Sequence, residues 1–320
     1  MEIRQLRYFI TVAEERSFSN AARRLHMSQP PLSLQIKSLE EELGTPLLAR
    51  TSRQVELTEA GRLFLVHARQ SLEQLEKAGE VVKLVAQGEA GEIRVGFTAS
   101  VPMFDAFPRV IHAFRERYPA ARADLLHLSS GQQLKSLADN TLDVSFLRPS
   151  MLFSPPPNIE TVSLWEDQLA LTLPEYHPLA KQQDPIPMAA LAKENFVLFP
   201  RGLGCGLFDH VSVLANRAGF APSVSQEARE GSTILGLVAA GMGISILPET
   251  YIKTRIPGVV YRKLDAEETT SRILLAFHKK AERSPLASRF IDTVCAAFNI
   301  ALEPQDTGET IEDSSESLAV

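Results

Sequence analysis

The chain has 320 residues, 44% of them hydrophobic and 22% charged, with a formal net charge of −6. That length suits two or three domains, and no apolar run reaches the roughly eighteen residues of a membrane span. The N-terminus has no apolar signal core, so a cytoplasmic location without membrane attachment is expected. The charge is placed unevenly. Residues 301–320 carry Glu303, Asp306, Glu309, Glu312, Asp313 and Glu316 and no Lys or Arg; without them the chain is neutral. This tail reads as an acidic disordered segment.

Taken in order, Leu6, Phe9, Ile10 and Ala13 share one helical face. In FSNAARRLHMSQPPLSLQIKSL (18–39), Ala21, Ala22, Leu25, Leu32, Ile36 and Leu39 continue the three- and four-residue rhythm across two short helices. His26-Met27-Ser28 forms the turn, and Ser28 is expected to cap the second helix through its hydroxyl. Pro30 and Pro31 fit the first turn, where a missing N–H costs little. The exposed remainder, Gln29, Ser33, Gln35, Lys37 and Ser38, is small or amide-bearing and can read base edges or touch phosphate. The pair is either a packing unit or a DNA-binding helix-turn-helix. Two extended runs around Arg50-Thr51-Ser52-Arg53 suggest a wing, with Arg53 free to reach a minor groove or a phosphate.

From Thr58 to Gln87 there is no proline, and Leu65, Ala68, Leu72, Leu75, Val82 and Ala86 form a coiled-coil-like seam. Thirty residues of helix span about 45 Å, too long to bury in one domain, which points to a dimerisation helix. GEAG (88–91) is a hinge. Strands and helices then alternate: IRVGF, a helix 106–118, ARADLLHL, a helix 132–138 and LDVSF. A second unit starts near Trp165 with DQLALTL, NFVLF, a helix 208–218, a strand near Val224, a helix 234–240 and GISIL. RILLAF and a helix 286–298 close the series. Such alternation implies parallel strands with right-handed crossovers.

Ligands in such sheets bind beyond the carboxyl ends of strands, where helix amides are free. That rule selects Thr98 and Ser100, then Ser129 and Ser130, then Arg148, then Pro200 and Arg201. Hydroxyls, amides and an arginine suit a small organic acid. His112, His127 and His278 have no triad or metal-spaced partner, and no phosphate-loop motif is present, so neither enzymatic activity nor a cofactor or metal is expected. Cys295, among Phe290, Ile291, Val294 and Phe298, reads as a core residue. Cys205, in RGLGCG, is open to a reactive role.

The stretch LRYFITVAEERSFSNAARRLHMSQPPLSLQIKSLEEELGTPLLARTSRQVELTEAG resembles the winged helix-turn-helix of LysR-type transcriptional regulators. EYHPLA (175–180) and LVAAGMGISILP (237–248) extend the likeness, and GFTASVP with LSSGQQL resembles the regulators of benzoate, muconate and catechol degradation. The resemblance implies an α plus α/β fold. Its parts are a winged helix-turn-helix over 1–58, a dimerisation helix over 59–88 and a two-lobed α/β region like periplasmic binding proteins. Lobe I is 92–163 with 268–300, and lobe II is 164–267. It implies operator contact by Gln29, Pro30, Pro31, Ser33, Gln35, Lys37 and Arg53, and effector contact by Ser100, Ser130, Pro200 and Arg201. It further implies a homodimer or homotetramer on double-stranded DNA, within reach of RNA polymerase. Many members have Arg where this chain has Leu34, which removes one phosphate or guanine contact. A DNA-architectural oligomer without an effector is the alternative, and an enzyme on the two-lobed fold the remoter one.

Overall fold

The computed structural model describes residues 1–50, 55–151, 153–183, 185–279 and 283–300. Arg53, with the tip of the expected wing, and the acidic tail lie outside them. The chain divides into two compact units, Met1–Ala86 and Gln87–Val320.

The first unit is built from α1 (Ile3–Glu15), α2 (Phe18–Arg24), α3 (Gln29–Leu43), a two-stranded ribbon of β1 (Leu48–Arg50) and β2 (Val55–Leu57), and α4 (Glu59–Gln87). Phe9, Val12, Ala21, Leu32, Ile36 and Leu39 are buried together, as their helical periodicity requires. Ser17 caps α2, accepting a hydrogen bond from the Asn20 amide at 3.4 Å. Ser28 holds the N-cap position of α3 but makes no side-chain cap bond. The reason lies in the next residues: an N-cap oxygen bonds the amide of the second or third helical residue, and here those are Pro30 and Pro31, which have no N–H. Glu40 stabilises the turn beyond α3, accepting hydrogen bonds from the Leu47 and Leu48 amides at 2.8 and 3.0 Å.

Thr58 caps α4, its hydroxyl accepting from the Gly61 amide at 2.9 Å and donating to the Pro46 carbonyl at 2.8 Å. The expected seam divides. Ala68 is buried in the first unit's core, with Leu65 and Leu72 packed against it. The apolar residues that α4 exposes are instead Leu63, Val66, Leu75, Val81, Val82 and Val85.

In the second unit, β3 (Ala90–Phe97), α5 (Ala106–Arg117), β4 (Ala120–His127), α6 (Ser130–Ala138) and β5 (Val144–Leu147) form the parallel part of lobe I, with β3 between β4 and β5. Then comes β6 (Ile159–Pro174), a continuous strand of 16 residues. Lobe II adds β7 (Ile186–Pro187), β8 (Asn195–Leu198), α7 (Gly206–Arg217), β9 (Ser223–Glu227), α8 (Gly231–Ala239) and β10 (Ser245–Pro248). β11 (Val259–Asp265) and β12 (Thr270–His278) lead back to α9 (Pro285–Ala297) in lobe I.

The main sheet runs β4-β3-β5-β12-β6-β11-β7, with β10 also paired to β6. The N-terminal part of β6 pairs antiparallel with β12, and its C-terminal part pairs antiparallel with β10 and β11. The chain therefore crosses between lobes twice, along β6 and along β11–β12. The purely parallel pairing expected from strand–helix alternation holds for β3–β4, β3–β5, β7–β11 and β8–β9, but β6 pairs antiparallel with β10, β11 and β12, and β12 with β5. Each lobe has its own core. Val110, Phe114, Phe146, Phe290 and Cys295 are buried in lobe I, and Leu171, Phe196, Leu214 and Ile234 in lobe II. Among the described residues, no helix is long and apolar enough to cross a membrane.

α7 is tied to the second crossing by a buried histidine. His210 Nε2 lies 2.7 Å from the carbonyl oxygen of Glu268, so it carries the proton and donates. Glu268, between β11 and β12, has φ of 57° and also pairs with Arg217 at 2.9 Å. Burial holds the imidazole below its ordinary range. Unfolded His210 gains a second proton below about pH 6.5 while the folded residue resists it. Stability should therefore fall as the pH drops from about 7 towards 5. Urea melts of wild type and His210→Gln over that range check this, with the variant giving the shallower slope.

Candidate functional site

A cavity of about 190 Å³ opens between the lobes, lined from lobe I by Thr98, Ala99, Ser100, His127–Ser130, Gln132 and Arg148, and from lobe II by Phe199, Leu203, Cys205, Leu207, Arg229, Glu230 and Tyr251. It sits where β3, β4, β5 and β8 end and α6, α7 and α8 begin. Helix amides from both lobes thus point towards one volume, as the strand-end rule requires.

Arg148 is its centre. The side chain is buried, and Nη2 donates to Asp167 Oδ2 at 3.0 Å and to Ser100 Oγ at 3.2 Å. Asp167, in the middle of β6, also accepts a hydrogen bond from the Thr250 hydroxyl of lobe II. One carboxylate on a crossing strand is thereby shared by groups of both lobes. Burial pulls the guanidinium down from its ordinary pKa and the Asp167 charge opposes that pull. Arg148 Nε and Nη1 are buried and have no hydrogen-bond partner among the described residues. Two donor nitrogens of a buried cation left unused cost free energy unless something else satisfies them.

The remaining expected residues divide by how their polar atoms are used. Ser130 Oγ donates to the Arg148 carbonyl at 2.8 Å and accepts from the Arg148 amide at 3.0 Å, so it clamps the end of β5. Ser129 caps α6, its hydroxyl accepting from the Gln132 amide at 3.3 Å while Gln132 Oε1 accepts from the Ser129 amide at 3.0 Å. Thr98 Oγ1 is buried and has no partner among the described residues. Pro200 and Arg201 do not line this cavity. Pro200 precedes the helical turn Arg201–Leu203, and Arg201 is exposed in a separate groove with Phe208, Asp209 and Ser212.

Asp167, Thr250, Tyr251, Arg229 and Glu230 are not marked by sequence motifs. Burial raises the Tyr251 phenol well above its usual range, so it stays a proton donor. Burial raises the Cys205 thiol too, against its own helix-terminal amides, which disfavours the reactive thiolate. Glu230 faces His127 at 3.7 Å across the cavity rim.

In the first unit, the periodicity of α3 sorts its residues cleanly. Leu32, Ile36 and Leu39 are fully buried, whereas Gln29, Pro30, Pro31, Gln35 and Lys37 are exposed and Ser33 half-buried. Gln29 Oε1 accepts from the Ser19 hydroxyl at 2.9 Å, which fixes it at the start of the helix. Lys37 faces Glu41 at 3.5 Å. Leu34 is 66% exposed, an apolar side chain amid this polar face.

Comparison with known proteins agrees with both halves of this description. Residues 3–62 match the bacterial regulatory helix-turn-helix protein family of lysR type, and residues 86–299 match the LysR substrate binding domain. The chain is 40% identical to the uncharacterized HTH-type transcriptional regulator YnfL of Escherichia coli (strain K12), over 91% of this chain and 96% of that one. It is 34% identical to the HTH-type transcriptional regulator BenM of Acinetobacter baylyi, over 91% and 94% respectively. Among solved structures, full-length CbnR complexed with its target DNA matches with a TM-score of 0.72 and 32% identity, covering 93% of this chain and 99% of that one. A helix-turn-helix with a polar outer face, followed by two α/β lobes around a buried arginine, thus belongs to a DNA-binding transcriptional regulator of the LysR family.

Proposed function

We propose that this regulator responds to a small organic acid held between its lobes, the carboxylate meeting Arg148 at Nη1. The observation that carries this reading is that Arg148 lines the cavity while its Nε and Nη1 are buried and unpartnered among the described residues. A carboxylate oxygen takes a charge-assisted hydrogen bond from a guanidinium N–H, about twice as strong as a neutral one. The Ser100 and Thr98 hydroxyls and the amides opening α6 complete a polar floor, and Ser129 and Ser130 act by holding that floor in place. Phe199, Leu203 and Leu207 give an apolar wall for the body of the acid. An engineered cavity of about 150 Å³ holds benzene, so about 190 Å³ suits a short acid or a single ring.

The outer face of α3 reads the operator, with Gln29, Pro30, Pro31, Ser33, Gln35 and Lys37 toward the major groove, and Arg53, between β1 and β2 in the sequence, adds a further DNA contact. The solved complex of the similar CbnR with target DNA supports that assignment. The exposed apolar residues of α4, from Leu63 to Val85, pair two copies into a homodimer, which can assemble further into a homotetramer.

The test is a thermal-shift screen with aliphatic and aromatic carboxylates. At a hundredfold excess over Kd, a ligand adds about 2.7 kcal/mol to the folded state. Arg148→Lys keeps a cation for Asp167 but removes the Nη1 donor, and a tenfold loss of affinity should cut the gain to about 1.4 kcal/mol. Stabilisation by uncharged compounds alone, indifferent to Arg148→Lys, would overturn the proposal.

A further inference from the structure

The outer face of α5 carries unused positive charge. Arg109 and Arg115 are exposed, and neither makes a hydrogen bond or ion pair among the described residues. Arg117 leans over the Tyr118 ring at 5.6 Å, and His112 is exposed between Arg109 and Arg115. Glu116 is the acidic group that α5 itself contributes there; Asp105, just before the helix, is already paired with Lys253 at 3.1 Å. The inner face of α5 is buried against α9, with Phe114 packed edge-on to Phe290 at 5.0 Å.

The path of α9 leads back to the N-terminal end of this helix. Phe298 stacks on Trp165 at 5.1 Å, and Trp165 packs on Phe104 at 4.5 Å. Phe104 stands just before the start of α5, so the last described residues, Asn299 and Ile300, leave lobe I beside its N-terminal end. Beyond them, Glu303, Asp306, Glu309 and Glu312 recur at every third position with no basic residue between. The twenty residues can reach roughly 65 Å when extended, while the whole of α5 is about 18 Å long. The family match ends at residue 299, so this segment is not covered by it.

We infer that the Arg109–Arg115 face of α5 is the docking site of the chain's own acidic segment, residues 301–320. Tethering gives the segment a millimolar-range local concentration, enough for modest charge attraction to hold it. The docked segment neutralises a basic face on lobe I and withholds it from other polyanions and from other copies of the chain. This holds whether or not the cavity binds an acid.

The experiment is disulfide trapping in the full-length protein. Thr310→Cys is combined with Ala113→Cys, which lies on the exposed face of α5, or with Val224→Cys on β9 of lobe II as a control; mass mapping separates these links from Cys205 and Cys295. The 113–310 link should form within one chain, about tenfold faster than the control, and lose that advantage in high salt and in the Arg109→Ser/Arg115→Ser background. A 113–310 rate that ignores both salt and the two arginines is chance encounter and would overturn the proposal. A link formed between chains would equally overturn it, because the occupant would then belong to a second copy.

Discussion

Asp167→Ala should destabilise the C-terminal unit by about 3–5 kcal/mol, the cost of leaving a buried cation without its counter-ion. Arg148 loses its carboxylate, and the Thr250 hydroxyl loses its acceptor in the same step. Chemical denaturation followed through Trp165, which lies in lobe I, reads the effect. The companion variant Arg148→Met/Asp167→Leu removes both charges and should recover most of the loss, since apolar replacement of a buried pair is often neutral or stabilising. A single-variant loss below about 1 kcal/mol would show that water already satisfies this arginine. The double variant should also be blind to carboxylates, which separates the stabilising role of the pair from its binding role.

Gly61→Ala should unfold or badly weaken the N-terminal unit, although alanine is the better helix former. A Cβ at this position would stand 2.0 Å from the Leu47 carbonyl oxygen and 2.9 Å from its carbon, both backbone atoms. Neither side can yield cheaply. Thr58 pins the helix start to Pro46, and Glu40 pins the Leu47 and Leu48 amides. Overpacking against a fixed backbone costs about 1–3 kcal/mol or more. Gly79, in the same helix, has nothing within 4 Å of such a Cβ. Gly79→Ala should therefore stabilise by about 0.5–1 kcal/mol, the ordinary helix-propensity gain. Calorimetry of both variants decides the matter: two changes of the same sign would mean that the close approach at Leu47 relaxes.

Sequence pattern reaches this fold as far as local periodicity carries. Leu32, Ile36 and Leu39 mark the buried side of α3 because packing there has the helix's own period. The crossing strand β6 escapes that logic. Its first half, in lobe I, is half-exposed and polar, whereas Leu169 to Pro174 are wholly buried in lobe II, so the texture changes in mid-strand and reads as a new unit. Arg148 is legible as a strand-end residue. Its pairing with Asp167 is not, since the two meet only after β6 and β5 have been placed on either side of β12. Ser28 fails for a nearer reason: residue type marks it as a cap, but a cap needs donors, and the prolines two and three positions on have none. In the coiled-coil-like seam, Leu65 and Leu72 obey the heptad yet spend themselves on the first unit's core, because a helix can pack one stripe on its own chain and present another outward.

Because a single unbroken strand serves both lobes, there is no place at which lobe II could be excised, exchanged or duplicated as a module. Residues 159–168 hydrogen-bond into one lobe and 169–174 into the other. A one-residue deletion within β6 would turn the side chains of the rest of that strand to the opposite face of the sheet. Sequence drift in the two lobes is thus yoked at this strand. New ligand preferences have to arise by substitution around the cavity, while recombination remains open only upstream, where α4 ends.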